Sequence, residues 1–479
     1  MYSTARKSIC CLFLLPVMLV LLATAGSVAA QTGPEVDTAA TGESTSEADK
    51  KAETDAQADL RDSVHENLDT FQQDVETASQ ITPGSSSEAP ISEIESTGIP
   101  MAPEEESSEQ PPERRSTIDF LKSIPIWLQA VPDRMPWIRE RGLIFFGRTE
   151  LDYAHYSSGI TSKDSGFKLR SLRLGLAKGF KHNISTKAEL DFTDGDSNFS
   201  DLYARYTNAR YGVLTVGNQR VAQTLVNQTS RISRTFMEES LPGEAFGLGR
   251  RLALGWDLHK KKAGVHATLF GSDLNGSIGD SGYAGRAYFN PTRSRFNLFH
   301  VGGSFVSENM SRKTRFFSHP ESRVTSVRFV DTDLFDDVTR QRIAGLEVAG
   351  AKDQFMFRSE FFRAKWDRKT AEDPVFKGYY VQANWVLTGE SFRYTQGKFI
   401  RIRPENPRGA WEAAIRYSQI NLNDARITGG EERNLTIALN WYAPDNQFRV
   451  MANLIFVDTD EFAGNEDPTI FQVRGQLHW

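Results

Sequence analysis

The sequence predicts an all-β fold, a transmembrane antiparallel β-barrel carried behind an acidic N-terminal extension. Three observations predict it. Apolar and polar side chains alternate with a period of two from Gly142 to the end of the chain, and the polar face is heavily charged. The apolar faces carry many aromatics. Neither of the two cysteines lies beyond position 11, so the body folds without disulfides. A polytopic helical membrane protein is excluded, because it needs repeated apolar runs of about 20 residues. The chain has one apolar run, residues 12–25, near its start, and it is shorter than that.

Residues 1–30 read as a secretory signal peptide. Arg6 and Lys7 form a short basic region, residues 12–25 an apolar one, and Val28-Ala29-Ala30 offers small side chains before Gln31. Cys10 and Cys11 precede the apolar run instead of following it, which disfavours a lipoprotein leader. The exported chain therefore has no disulfide framework and no cysteine-based metal site.

Charge is unevenly placed along the chain. The total is 56 Lys+Arg against 62 Asp+Glu, a net −6. Residues 31–115 hold 21 acids and five bases, hence −16, while residues 116–479 carry +8. Segments 31–56 and 81–115 are rich in Ser, Thr, Glu, Ala and Pro and cannot bury enough apolar area to order themselves. They read as a periplasmic low-complexity extension. Between them Leu60, Val64, Leu68, Phe71 and Val75 are spaced for a short helix near 58–78. That helix is either a coiled-coil segment of an oligomer or a transient turn in a linker. Residues 116–140, with Ile118, Phe120, Trp127 and Trp137, form an adaptor into a barrel spanning 141–479.

Within the barrel, Tyr379, Val381, Ala383, Trp385 and Leu387 share one face, as do Leu435, Ile437, Leu439 and Trp441. Phe448, Val450, Ala452, Leu454 and Phe456 repeat the pattern. Such alternation marks half-buried antiparallel strands. A soluble sandwich would alternate in the same way, but charged second faces and aromatic ends suit a wet lumen and aromatic girdles. The terminal run Phe471, Val473, Gly475, Leu477, Trp479 ends on an aromatic residue. Short turns fall near 181–183, 210–212, 260–263, 291–295 and 351–353. Long connections fall at 155–166, 219–250, 272–281, 308–341 and 367–377. This gives twelve strands by Leu387, with four more at 410–420, 433–443, 446–457 and 469–479. Segment 388–409 reads as a hairpin, giving eighteen strands, or as one long periplasmic turn, giving sixteen.

Three stretches resemble the phosphate-selective porin O and P family of Gram-negative outer membranes. The first is Thr229-Ser230-Arg231-Ile232-Ser233-Arg234-Thr235-Phe236 with Met237-Glu238-Glu239-Ser240-Leu241-Pro242. The second runs from Gly378-Tyr379-Tyr380-Val381 through Leu387-Thr388-Gly389-Glu390 to Ile402-Arg403-Pro404. The third runs from Gly409-Ala410-Trp411-Glu412 through Arg416-Tyr417-Ser418 to Asn440-Trp441-Tyr442. The resemblance covers about 142–479 and implies a sixteen-stranded homotrimeric channel, with loops and one periplasmic turn folded into the lumen. It implies a permeating anion such as phosphate, outer-membrane lipid and lipopolysaccharide as surroundings, no cofactor and no nucleic acid. The family's phosphate channels use an arginine ladder and a lysine-bearing constriction loop. This chain departs from that pattern, since its loop 212–250 contains Arg220, Arg231, Arg234 and Arg250 but no lysine. Arginine is a bidentate oxyanion donor, so anion preference survives the departure while phosphate specificity does not follow.

The candidate anion path comprises Arg220, Arg231 and Arg234 of the third outer loop, Arg323 and Arg328 of the fifth, and Arg401 and Arg403 of segment 388–409. Arg323 and Arg328 read equally as a lumen ladder or as surface charge beside lipopolysaccharide. Segment 388–409 carries five basic and two acidic residues and is expected to fold into the lumen. Arg148, Arg173, Arg286, Arg358, Arg416 and Arg474 have lumen parity. Catalysis is not expected. The eight histidines are scattered, with only His259 and His266 on successive strands at metal-ligand spacing, and no nucleophilic triad can be assigned. Gly243, Gly247 and Gly249 do not join a strand to a helix, so they make no phosphate-cradling motif. A general or sugar-diffusion porin is the alternative function.

Overall fold

The computed structural model describes residues 143–479 except 158–163, 194–196, 275–279, 293–296, 312, 461 and 463–465. The signal-peptide, extension and adaptor expectations fall outside the described residues. Sixteen antiparallel strands close into one barrel. The first eight are Leu143–Tyr156 (β1), Gly166–Phe180 (β2), Ile184–Asp191 (β3), Asn198–Asn208 (β4), Gly212–Arg220 (β5), Arg250–His259 (β6), Ala263–Phe270 (β7) and Ser281–Phe289 (β8). The second eight are Asn297–Asn309 (β9), Val338–Lys352 (β10), Phe355–Arg368 (β11), Val375–Val386 (β12), Ala410–Asp424 (β13), Ile427–Tyr442 (β14), Phe448–Thr459 (β15) and Thr469–His478 (β16).

The period of two sets the wall. Along β12, Phe376, Tyr380, Gln382, Asn384 and Val386 are buried on the inner face, while Tyr379, Val381 and Trp385 are exposed on the outer one. Leu254, Leu269, Phe299, Phe357, Ile415 and Ile437 continue an exposed apolar belt around the barrel. A belt of that extent is far larger than the apolar patches of soluble monomers and suits lipid. The seam is a ladder from Arg148↔His478 to Tyr156↔Ile470. Gly147 and Trp479 extend it with two backbone hydrogen bonds of 3.0 and 3.1 Å. A Cβ on residue 147 would lie 2.4 Å from the Trp479 ring, so this contact requires glycine.

Segment 387–409 is not part of the wall. It carries a small ladder of its own, Arg393–Thr395 against Lys398–Ile400, and the strand count is sixteen. The alternation suggested strands 410–420 and 433–443, whereas β13 and β14 run further and leave only Ala425 and Arg426 between them. Their extra length is supported by Ile420, Leu422 and Ile427, which are buried in one apolar cluster with Phe329 and Val330 of the fifth outer loop. That cluster fills part of the lumen. Phe246 of the third loop meets Phe316 of the fifth edge-on at 5.0 Å, and Phe316 stacks on Trp366 of β11 at 4.9 Å.

Candidate pore

Three inserted segments shape the remaining wet space. The third outer loop leaves β5, forms short helices at Leu225–Gln228 and Leu241–Ala245, and returns to β6. Ser240 caps the second helix by accepting a hydrogen bond from the Gly243 amide at 3.3 Å. The loop crosses to the far wall. The Leu225 amide donates to Glu347 of β10 at 2.7 Å and the Val226 amide to Glu360 of β11 at 2.9 Å. Thr235 Oγ1 donates to Glu412 of β13 at 3.0 Å, and the Leu241 amide to Ser418 Oγ at 3.0 Å. Arg449 of β15 and Arg474 of β16 donate to the Thr235 and Met237 carbonyls at 3.1 and 2.6 Å.

The fifth loop is held by Glu321, which pairs with Arg416 at 2.5 Å and accepts from Thr436 at 2.6 Å. From the other end of the barrel, the 387–409 segment rises inside the wall. Its tip, Gln396-Gly397, has φ of 47° and 79°, the pair of left-handed residues a two-residue hairpin turn needs. Arg286 donates to the Gly397 carbonyl at 2.6 Å, and the Tyr394 hydroxyl lies 2.6 Å from His300 Nδ1. Phe399 packs in a buried cluster with Leu225 of the third loop, Leu298, Ala349 and Met356. The outer loop and the periplasmic turn therefore meet within the barrel.

Two cavities among the described residues bear on the path. The first, about 230 Å³, is lined by Arg148, Arg170, Arg173, Arg220, Arg231, Arg234, Arg250 and Arg323, with Glu238, Glu239 and Glu244 opposed to them. The second, about 1150 Å³, lies at the turn end and is lined by Lys260, Lys261, Asp257, His259, Arg393, Arg403, Glu390 and Glu405, among others. Four of the seven sequence-predicted arginines, Arg220, Arg231, Arg234 and Arg323, are brought together in the first cavity, and Arg403 lines the second. Arg328 stands apart, over the Phe317 ring at 3.9 Å and 3.5 Å from Asp331. Arg401 is buried, its guanidinium 2.7 Å from His478 Nδ1 and 5.5 Å from the Tyr442 ring centroid.

Residues 146–479 match the family described as phosphate-selective porin O and P. The chain belongs to that family. An uncharacterized protein of Caulobacter vibrioides is 26% identical over 325 residues, 63% of this chain and 65% of the relative. The chain thus covers just under two thirds of that relative's length. Porin O of Pseudomonas aeruginosa is 25% identical over 376 residues, 67% of this chain and 83% of the relative. Among solved structures, an anion-selective porin from Comamonas acidovorans is similar with a TM-score of 0.46 and 11% identity, covering 70% of this chain and 99% of that one. Likeness of that degree says nothing of what this porin conducts.

Most of the porin's cavity arginines are neutralised. Arg170 pairs with Glu238 at 2.7 Å, Arg173 with Asp191 at 2.7 Å, Arg231 with Glu150 at 3.3 Å and Arg323 with Glu244 at 2.8 Å. Arg234 pairs with Glu239, and Arg250 with Asp201. Burial alone would raise the Glu238 carboxyl, but Arg170 and Arg474 outweigh it and hold Glu238 well below the usual carboxylate range. Among the described residues, Arg148 and Arg220 are the two of the eight without a carboxylate partner. Arg148 reaches only Ser171 Oγ, at 3.4 Å, and Arg220 donates to the Asn227 and Thr229 carbonyls.

A further cation escaped the list of sequence candidates. Lys398, next to the turn at Gln396-Gly397, lies within electrostatic reach of Arg220 in the first cavity and Asp257 in the second. Burial, then Arg205 and Arg220, bring its ammonium down from 10.5 to about 8. The periplasmic turn thus brings a lysine within electrostatic reach of Arg220, next to an outer loop that has no lysine of its own. The available signal was a Gln-Gly turn followed by a lysine inside an over-long basic connection.

Proposed function

We propose that the barrel is a water-filled, anion-preferring outer-membrane channel for phosphate or similar oxyanions. The observation that carries this reading is the cavity lined by eight arginines against three glutamates, with Arg148 and Arg220 unneutralised and Lys398 following them. Fixed positive charge along a narrow wet path raises the local anion concentration and lowers the barrier to anion entry. A sequence of weak arginine and lysine sites lets an oxyanion bind and leave, which one tight site would not. The working unit is a homotrimer surrounded by lipid and lipopolysaccharide, with the acidic extension in the periplasm. Family membership and the closed barrel support the channel; the cavity chemistry supports its sign.

One observation favours a general diffusion porin instead. Six of the eight arginines are paired with carboxylates, which weakens the field an anion meets. Planar-bilayer reversal potentials in a KCl gradient separate the two readings. Chloride preference, with phosphate slowing chloride flux at low concentration, is the expected result. Cation preference would sink the anion reading, and anion preference without phosphate competition would leave a general anion porin.

A further inference from the structure

The second cavity holds a group of side chains that anion conduction does not use. Asp257 and His259 are two residues apart on β6, so they share a face, and Asp257 stands directly opposite His266 of β7 in the ladder. One ligand atom from each of the three lies within 4.8 Å of the other two. The His259 and His266 rings meet edge to face with centroids 4.8 Å apart. One nitrogen of each ring is already oriented by an oxygen. His266 Nδ1 lies 2.7 Å from Asp257 Oδ1, and His259 Nδ1 lies 3.0 Å from the Tyr288 hydroxyl. The Tyr288 hydroxyl fixes the His259 ring as outer-shell partners fix metal-bound imidazoles, leaving its second nitrogen for an ion. An ion held by Asp257 and His266 Nδ1 takes the place of the proton those two groups share. Asp257 and His259 line the cavity, which provides an aqueous route of entry.

We propose that Asp257, His259 and His266 form a reversible site for a transition-metal ion of the zinc class at the periplasmic end of the pore. Two neutral imidazoles and one carboxylate suit zinc and leave its fourth position open to the cavity. Calcium and magnesium need more oxygen ligands than these residues offer. Arg286 Nη1, 3.4 Å from His266 Nε2, and the nearby Lys398 oppose a divalent cation. They make the site weaker than a buried structural zinc centre, hence reversible. A tetrahedral ion with bonds of about 2.0–2.1 Å holds its ligand atoms about 3.3–3.4 Å apart, so the three groups, whose ligand atoms lie within 4.8 Å of one another, close by up to about 1.4 Å on binding.

The test is calorimetric titration of the full chain in detergent with zinc chloride. One ion per chain is expected. His259→Ala and His266→Ala should each weaken binding about tenfold or more, while His182→Ala, on an exposed periplasmic turn, should not. Absence of saturable binding in the wild type, or unchanged binding in both variants, overturns the proposal. If either variant fails to form a heat-resistant barrel, cobalt added to the wild-type chain decides. An intense visible band of four-coordinate cobalt supports the site, and a pale six-coordinate spectrum refutes it.

Discussion

Lys398 makes the pore's selectivity depend on pH in one direction. Its ammonium titrates near 8, so it is roughly nine tenths protonated at pH 7 and one tenth at pH 9. Protonation adds a positive charge that attracts anions, and raising the pH removes it. Anion preference should therefore be full below about pH 7 and decline as pH rises through 8. For an anion passing about 5 Å from the ammonium in water, the attraction is about 0.8 kcal/mol. That is roughly a fourfold change in local anion occupancy. At 1 M salt the screening length is about 3 Å and the effect should nearly vanish. The assay is the chloride-to-potassium permeability ratio from reversal potentials between pH 6 and 9.5, near 0.1 M salt, in wild type and Lys398→Met. The wild type should show the step, and the variant should start lower and stay flat. A flat wild-type profile, or a step that persists in Lys398→Met, would refute the reasoning.

Arg220→Gln should lower anion preference by a similar roughly fourfold at low salt, because Arg220 has no carboxylate partner; Arg234→Gln, which only releases Glu239, should lower it further if anything, and equal ratios in wild type and R220Q would count against the cavity as the path. Arg403→Glu should alter conductance at low salt, whereas Arg401→Glu, buried against Tyr442 and His478, should instead destabilise the barrel by about 2–3 kcal/mol, read as a lower thermal midpoint. Glu360→Leu removes the acceptor of the Val226 amide and should cost about 1–3 kcal/mol, with noisier single-channel currents from a loosened loop. Deleting residues 31–115 should leave assembly and conductance intact; failure to form oligomers without them would favour the coiled-coil reading of 58–78.

What could be read from the sequence was whatever period two controls. Arg148, Arg173, Arg286, Arg358, Arg416 and Arg474 all proved to face inward, because a strand alternates faces without regard to its neighbours. The short turns were equally visible, since each interrupts an alternating run. Segment 388–409 was ambiguous because Phe399 packs inside the barrel against Leu225, a contact between residues 174 positions apart that no local pattern encodes. The same holds for the candidate site. Arg220, Arg231, Arg234 and Arg323 could be proposed from the sequence, but the carboxylates that pair with Arg231 and Arg323 sit on β1 and on the third loop, whose approach depends on how the loops land. The pairing of Asp257 with His266 needed the β6–β7 register. Lys398 was visible as a charge, though not as a neighbour of Arg220.

The fastening of the third loop has a mechanical consequence. A tube sixteen strands around is a single layer of hydrogen-bonded ribbon, stiff along its strands and soft to flattening. Hydrogen bonds to Glu347, Glu360, Glu412, Ser418, Arg449 and Arg474 fix the loop to the wall opposite its roots. The loop is then a strut across the ring. Lateral pressure from the bilayer is carried through it, so the bore keeps its cross-section, and loosening one anchor changes the shape of the whole ring as well as the constriction.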